Sequence, residues 1–299
     1  MSKREALLRY NLIIRKLRNS PQSFEQLNQS LEMESDIQGY DFNISKRTFQ
    51  RDLNDIRSIF NIDIQYDYSD RVYFINDENE PEMSDRILEA FDIFNSMNIK
   101  QRLSEFIHFE SRKPKGTNSL YGLIHAIKNN YKISFIYQKF SDNKPSVRKV
   151  EPYGIKEFKN RWYVLCRDTK DNIIKNFALD RLTGLSISKE KFKIPAEFDI
   201  HTFFKDCFGV IIPENKNPRT VVLSFNPLQG KYIKSLPLHL SQEVIKDNKQ
   251  EFRIRLKIFI SHDFIMELLS LGNNVKVIEP PELIEKLKEN YEKALENYS

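Results

Sequence analysis

A group of basic and amide side chains at helical spacing is the first part of this sequence with recognisable chemistry. Arginine can bond guanine O6 and N7 together, and glutamine or asparagine can do the same for adenine N6 and N7. Residues three, four and seven apart share one face of a helix, and this is the spacing of Arg47, Gln50, Arg51 and Asn54. The pattern is typical of a helix that reads the major groove of DNA. The alternative is a solvated helix face, since arginine and glutamine are also good helix formers.

The start of the same helix offers contacts of a second kind. Ser45 stands where an N-cap is expected, and Thr48 follows within the first turn. Hydroxyl groups at a helix N-terminus can hold backbone phosphates together with the helix dipole. The predicted DNA-binding residues are therefore Ser45, Lys46, Arg47, Thr48, Gln50, Arg51 and Asn54.

Two later stretches interleave cations with aromatic residues. Because alternate strand residues share a face, one strand face carries Arg161, Tyr163, Leu165 and Arg167. A face of the next strand carries Lys175, Phe177, Leu179 and Arg181. Such strands suit an anionic ligand that contains a base, because the charges meet phosphate and the rings can stack.

The predicted anion site is centred on three arginines, with one tyrosine as the stacking partner. The full set of predicted ligand-binding residues is Tyr137, Arg148, Arg161, Tyr163, Arg167, Lys175 and Arg181. Of these, Arg148, Arg161 and Arg181 form the centre, and Tyr137 stacks on the ligand. Two alternatives stay open: Trp162 packs in the core, and Arg181 forms a buried pair with Asp180 or Asp168.

The distribution of charge agrees with an anionic partner for this middle part of the chain. The 299 residues carry a net charge of +5, but residues 111–193 alone hold 19 Lys and Arg against 7 Asp and Glu, a net of +12. Residues 1–78 have a net charge of −2. A concentrated positive excess is the footprint expected around a polyanion. A solvated lysine surface would explain it as well, since lysine supplies 14 of the 19 cations.

Signals for catalysis are weak. The 5 histidines are scattered without metal-ligand spacing, the 2 cysteines are far apart, and the 8 glycines form no phosphate-binding loop. We therefore expect a protein that is not an enzyme and that needs no cofactor or metal. A hydrolase with a spatially assembled site remains a remote alternative.

The elements that must position these residues form a multidomain α+β protein. Three helices and a hairpin predict a winged helix-turn-helix domain at 1–78, with the second helix over 23–31. A helical connector and linker follow at 79–116. Short period-two strands predict a small antiparallel β-barrel at 117–195. A linker at 196–218 then leads to an α+β module at 219–299.

Three motifs in this order resemble one family of bacterial regulators. Residues 45–53 (SKRTFQRDL) resemble the recognition helix of DeoR-like winged-helix regulators, and residues 160–168 (NRWYVLCRD) resemble the motif that names the WYL-domain transcription regulators. Residues 177–182 (FALDRL) and Glu151-Pro152 resemble further elements of that family. Val164 replaces the family leucine, and Lys175 and Ala178 stand where members often have arginine. The resemblance implies an Sm-like barrel that senses a nucleotide or nucleic acid, and a C-terminal WYL extension.

These observations lead to a ligand-responsive transcription regulator that binds a double-stranded DNA operator as a homodimer. The alternative is a nucleic-acid-binding accessory protein of a defence system, whose barrel binds RNA or single-stranded DNA. We expect the dimer contacts to come from the apolar stripes of the connector (Phe91, Phe94, Met97) and of the C-terminal module (Phe264, Ile265, Leu268, Leu269). No stretch approaches the roughly 18 apolar residues of a membrane span, so a cytoplasmic protein without a membrane partner is expected.

Overall fold

A computed structural model describes residues 3–38, 40–76, 116–141, 144–213 and 217–299. The chain divides into two compact units, residues 1–109 and 110–299. The predicted connector helix at 84–109, with Phe91, Phe94 and Met97, lies outside the described residues. Within the described residues, every helix is too short or too polar to cross a membrane.

The first unit has three helices followed by a hairpin, in the order that the sequence predicts. The elements are α1 (Lys3–Asn19), α2 (Phe24–Gln38), α3 (Lys46–Phe60), β1 (Asp63–Asp67) and β2 (Val72–Asn76), and the two strands are antiparallel. Helix α2 is longer than predicted. Ser23 and Gln26 cap its start reciprocally, with bonds of 2.8 and 3.2 Å. Good helix formers such as Glu32 and Met33 then continue it past Leu31, the last residue of the apolar pattern.

A buried ion pair joins α1 to α3 inside this unit. Arg9 and Asp52 are both fully buried. The guanidinium Nε donates to Asp52 Oδ2 at 2.7 Å, and Nη2 donates to Oδ1 at 3.0 Å. The hydroxyl of Tyr10 donates to Asp55 Oδ2 at 2.7 Å. Because both carboxylates of α3 are bonded to α1, they are directed away from the solvent-exposed face of α3.

The second unit begins with a helix and a five-stranded antiparallel sheet. These elements are α4 (Leu120–Lys128), β3 (Tyr131–Tyr137), β4 (Ser146–Phe158), β5 (Arg161–Asp168), β6 (Ile174–Ala178) and β7 (Leu182–Lys191). The strand order is β6-β5-β4-β3-β7. The prediction of a closed barrel is not confirmed, because β6 and β7 form no ladder with each other among the described residues. The chain passes between them through one 3-10 turn, Leu179–Arg181, so these edge strands adjoin only at that corner.

The two faces of this sheet pack against different clusters. The inner cluster contains Leu123, Ala126, Ile133, Phe135, Tyr137, Val150, Val164, Cys166, Phe177, Leu179 and Leu182, and Trp162 packs against it. The outer cluster contains Tyr153, Leu165, Phe192, Phe204, Cys207 and Phe259. Much of the outer cluster comes from the segment that follows β7, which includes the short helix α5 (Ile200–Phe204). The sheet is therefore covered by apolar residues on both sides.

The C-terminal part of the second unit is a separate four-stranded antiparallel sheet with three helices. Its elements are β8 (Arg219–Phe225), α6 (Pro227–Ser235), β9 (Glu243–Asp247), β10 (Phe252–Ile258), α7 (His262–Ser270), β11 (Val275–Glu279) and α8 (Pro281–Glu296). The strand order is β11-β8-β10-β9, the arrangement of a split βαβ motif. Residues from all three helices join one core with the inward residues of β8 and β10. All three helices therefore cover the same face of the sheet.

The apolar stripe of α7 is part of this core. Phe264 and Leu268 are fully buried, and Ile265 and Leu269 pack against the same cluster. The expectation that this stripe supplies a dimer contact is therefore wrong, because the stripe is satisfied within its own chain.

The segment between the two sheets is tied to both of them. Asn176 of β6 donates from Nδ2 to the carbonyl oxygen of Val210 at 2.6 Å. The backbone amides of Val210 and Ile211 both donate to Asp263 Oδ2 of α7 at 2.8 Å. One short stretch of backbone thus connects the five-stranded sheet to the helical side of the C-terminal module.

Candidate nucleic-acid interface and anion site

Helix α3 presents the predicted DNA-binding residues to solvent. Ser45 is the N-cap, and its Oγ accepts from the Thr48 amide at 3.2 Å. The apolar stripe of the helix is buried through Phe49, Ile56 and Phe60. The opposite face, all four members of which are exposed, consists of Arg47, Gln50, Arg51 and Asn54. The predicted spacing therefore produces one polar face without a carboxylate.

The cations of α3 differ in how they are held. Lys46 forms an ion pair with Glu25 of α2 at 3.1 Å, and Arg57 is bonded to Asp63 of β1. Arg47 and Arg51 form no ion pair within the part of the chain that the structure describes. Their guanidinium groups therefore keep all their donors for a partner outside the chain, whereas Lys46 and Arg57 already neutralise carboxylates.

The hairpin contacts this face through one tyrosine. Gln50 Nε2 donates to the hydroxyl of Tyr73 at 3.2 Å. The Tyr73 ring lies 4.9 Å from the Phe49 ring and 4.7 Å from the Tyr66 ring, between centroids. Burial raises the pKa of Tyr73, so its hydroxyl stays protonated at neutral pH. The β1-β2 hairpin thus fixes the side chain at the centre of the polar face.

The five-stranded sheet brings three of the seven predicted ligand residues close together. Burial raises the pKa of the Tyr137 hydroxyl, while the Ala178 amide and the charges of Arg181 and Arg148 partly offset this increase. In the sheet, Arg148 of β4 lies opposite Phe135, two residues before Tyr137 on β3, and Arg181 lies 5.4 Å from the Tyr137 ring centroid. The Nε atoms of both arginines are buried and donate no hydrogen bond within the described residues. A buried donor without an acceptor costs about 1–3 kcal/mol, so both groups favour an anion that accepts from them.

Aromatic rings flank one of these arginines. The guanidinium carbon of Arg181 lies 5.4 Å from the Tyr137 ring centroid and 4.6 Å from that of Phe140. Tyr137 is only 5% exposed and packs against Phe177. Its ring therefore belongs to the core, which speaks against its predicted role as a platform for an incoming base. Phe140 is 75% exposed and has the free ring that stacking requires.

Carboxylates neutralise part of this cationic group. Arg148 Nη1 donates to Asp168 Oδ2 at 3.2 Å, and Lys175 Nζ donates to the same atom at 2.9 Å. Lys175 is also bonded to Asp171. Burial by itself raises the pKa of Asp168, but hydrogen bonds from Lys175 and from the Lys170 amide outweigh it, so this pKa lies below its ordinary value. Asp168 therefore stays ionised and holds Lys175 away from a ligand.

Arg161 is connected to the group through one carboxylate. Its Nη1 donates to Asp180 Oδ2 at 3.2 Å, and Asp180 Oδ1 lies 3.9 Å from Arg181 Nε. The sequence predicts that Leu179 and Arg181 continue the face of β6. They do not, because they belong to the 3-10 turn after that strand. The turn, rather than strand alternation, places Arg181 beside Tyr137.

The remaining two predicted ligand residues lie on the other face of the sheet. Tyr163 and Arg167 share the outer face with Leu165 and with Arg161, since alternate residues of β5 point to the same side. Arg167 Nε donates to Glu151 Oε2 at 2.7 Å. Burial raises the pKa of Tyr163. The structure thus separates this pair from Tyr137, Arg148 and Lys175 on the inner face.

Sequence reasoning missed Phe140. It lies in the loop after β3, three residues beyond Tyr137, where no strand alternation assigns it a face. An aromatic residue that follows a strand within a basic stretch is the signal that identifies it.

Comparisons with known proteins find two family models in the second unit. Residues 119–187 match the family model of the WYL domain, and residues 217–295 match that of the WCX domain. No curated protein matches the chain. The first match covers the five-stranded sheet with α4, and the second covers the four-stranded sheet with its helices; these two regions are called the WYL domain and the WCX domain below.

Solved structures with similarity to this chain include the following two. Proteasome accessory factor B/C (PafBC) of Arthrobacter aurescens is 20% identical, with a TM-score of 0.34, and the match covers 95% of this chain but 45% of that one. A CRISPR Cas-related protein is 12% identical, with a TM-score of 0.39, and the match covers 89% of this chain and 76% of that one. This chain thus spans less than half the length of the first. At these values neither neighbour informs its function.

Proposed function

We propose that this chain, which carries a WYL domain followed by a WCX domain, is a DNA-binding transcription regulator whose WYL domain senses an anionic ligand. The first unit acts as a winged helix-turn-helix domain that binds a double-stranded operator, and the ligand is a nucleotide or a nucleic acid. The regulator works as a homodimer in the cytoplasm, since palindromic operators match the two-fold symmetry of dimers. The proposal assigns no reaction to the chain.

The observation that carries this proposal is the exposed face of α3. Arg47, Gln50, Arg51 and Asn54 form one surface, and the two carboxylates of the helix are bonded to α1. Arginine and amide side chains are the groups that discriminate base pairs in the major groove. A helix face that contacted only solvent would gain no stability from the absence of carboxylates.

The WYL domain supports a sensory role through the buried Nε donors of Arg148 and Arg181. Arginine suits phosphate because its planar fork can bond two oxygens. Phe140 adds an exposed ring beside Arg181, which favours a ligand that joins a phosphate to a base. Such a ligand controls operator binding only if it prefers one arrangement of the dimer.

A second candidate function is an accessory protein of a defence system that binds RNA or single-stranded DNA as its main task. The observation in its favour is the positive charge, which is concentrated in residues 111–193 rather than in the first unit. In this case, duplex binding would lack sequence preference and would not depend on residues 45–54.

Selection of duplexes from a random library tests the proposal. The wild-type chain should enrich one sequence, and Arg47→Ala or Arg51→Ala should each weaken binding to it by about 1–3 kcal/mol. Arg57→Ala is the matched control on the same helix, because Arg57 is already bonded to Asp63, and it should have a smaller effect. The assignment of α3 is wrong if both variants remain folded and bind the selected duplex like wild type.

A further inference from the structure

One face of the WCX sheet is not covered by the helices of its own domain. The inward residues of β10 are Phe252, Ile254, Leu256 and Ile258, which are buried in the core with the helices. Alternate residues point to opposite sides of a sheet. The residues between them therefore form the open face, which lies on the side away from α6, α7 and α8.

This open face is cationic. The three successive outward residues of β10 are Arg253, Arg255 and Lys257, and all three are basic. Neighbouring strands add Lys246, opposite Arg253 in the register, and Lys276, opposite Ser224. The outward residues of the other central strand, β8, contain no carboxylate: they are Thr220, Val222 and Ser224.

Carboxylates neutralise only part of this charge. Glu251 is bonded to Arg253 at 2.9 Å and to Lys246 at 2.6 Å, and bonds from Lys246, Ser224 and Arg253 lower its pKa to about 2. Glu243 lies 3.4 Å from Arg255, whose side chain is 50% exposed. Lys257 and Lys276 form no ion pair among the described residues. Glu279 lies opposite Val222 in the register and belongs to the same face. The face thus has five cations against three carboxylates, and the excess lies along β10.

The arrangement fits a phosphate backbone better than a protein surface. Outward residues on one strand repeat about every 6.8 Å, which is comparable to the separation of successive phosphates along an extended nucleic-acid strand. The hydroxyl group of Thr220 lies on the neighbouring strand, opposite Lys257 in the register, and can donate to a phosphate oxygen. Protein interfaces depend on apolar or aromatic anchors at their centre, whereas the centre of this face is a row of charges.

We propose that the open face of the WCX sheet binds the phosphate backbone of single-stranded nucleic acid. A single row of cations matches one backbone, whereas a duplex presents two. The face has no exposed ring on which bases could stack, so it binds without sequence preference and with strong salt dependence. This contact is additional to the operator site on α3 and to the anion site in the WYL domain.

Lysine labelling of the full chain tests this proposal. A mixed-sequence 20-nucleotide single-stranded DNA should protect Lys257 and Lys276 from acetylation, as read by mass spectrometry. Lys231 and Lys293, which are exposed on the helices of the same domain, are the matched controls and should stay reactive. Equal labelling of all four lysines with and without DNA would overturn the proposal. The proposal would also be overturned if a glutamate-rich peptide or duplex DNA protected Lys257 and Lys276 and single-stranded DNA did not.

A charge-neutralising variant gives a second measurement. Arg255→Gln combined with Lys257→Gln should reduce the slope of log affinity against log salt for this oligonucleotide by about 1.4, because each phosphate contact of a single strand contributes about 0.7. Lys231→Gln combined with Lys293→Gln should leave the slope unchanged. An unaltered slope in a folded Arg255 and Lys257 variant contradicts the proposal.

The outcome is independent of the proposed function. Loss of lysine protection with intact operator selection would disprove only this inference. Protection at Lys257 and Lys276 without any operator selection would disprove only the proposed regulator.

Discussion

Arg181 is bonded to carboxylates more weakly than the other predicted ligand cations of the WYL domain are. Its guanidinium lies between the rings of Tyr137 and Phe140, and the nearest carboxylate oxygen is 3.9 Å from its Nε. That distance is too long for a hydrogen bond, so Asp180 attracts Arg181 without satisfying its donors. The carboxylate bonds instead to Arg161. An anion that accepts a hydrogen bond from Arg181 therefore displaces no strong hydrogen bond within the protein.

We predict that Arg181→Glu abolishes the response to ligand and leaves operator binding without ligand nearly unchanged. The reversed charge repels the anion, and a ligand that no longer discriminates between two states cannot shift them. The measurement is operator affinity with and without a short single-stranded oligonucleotide. Lys139→Glu is the control, because Lys139 is exposed and lies in the same loop as Phe140. A variant that unfolds would make Arg181 a structural residue, and one that still responds would place the sensor elsewhere.

The ion group around Asp168 leads to a prediction about pH. A carboxyl whose pKa is lowered in the folded state stabilises the fold at neutral pH, and this contribution is lost as the pH falls through the ordinary carboxyl range towards the lowered value. The folded pKa of Asp168 is lowered in this way. We therefore expect the WYL domain of the wild type to lose stability between pH 5 and pH 3 more steeply than that of Asp168→Asn.

Trp162 is the reporter for this experiment, because it is the single tryptophan of the chain and packs against the inner cluster. Its fluorescence follows thermal unfolding of the WYL domain at each pH. Glu197→Gln is a suitable control, since Glu197 is exposed and lies outside the ion group. Parallel pH profiles for wild type and Asp168→Asn would show that Asp168 contributes nothing to acid sensitivity.

At the scale of elements, the position of α3 depends on the buried pair of Arg9 and Asp52. We expect Asp52→Ala to destabilise the first unit by about 3–5 kcal/mol, because it leaves an uncompensated buried charge. Arg9→Met combined with Asp52→Leu should recover most of this loss, since apolar residues of similar volume often replace a buried pair at little cost. Hydrogen exchange of the α3 amides measures both effects. If Asp52→Ala exchanges like wild type, the pair does not hold the helix.

The elements were easier to predict than the site. In the C-terminal module the two central strands and the three helices follow from the apolar periodicity, because each of these elements buries one face. The longest strand, β4, does not follow from the same periodicity: Pro152 and Gly154 interrupt its pattern, and the structure accommodates them with a register shift. The placement of the site residues on one face or the other is hard to predict for a related reason. The face on which each arginine lies depends on that register and on the 3-10 turn at Leu179–Arg181, neither of which is visible in residue spacing.

At the scale of the whole molecule, the dimer contact is expected from the connector at 84–109, because the stripe of α7 is buried in its own core. We predict that the wild type has the mass of two chains in solution at micromolar concentration. Phe91→Asp combined with Phe94→Asp should halve this mass, since charges at an apolar contact are costly. Met266→Asp is the control, because Met266 is exposed on α7. A monomeric wild type that still binds its operator would contradict the prediction.

The edge strands of the WCX sheet explain how a sheet with one open face can avoid aggregation. Unpaired edge strands are templates for strand addition, and such addition leads to aggregation. Both edges of this sheet are irregular: the register shifts between Arg253 and Ile254 where β10 meets β9, and between Val277 and Glu279 where β11 meets β8. Pro280 follows β11 directly and has no amide hydrogen to donate. Bulges twist an edge away from a neighbouring chain, so this protein should stay dispersed at concentrations at which a flat, regular sheet would form fibrils.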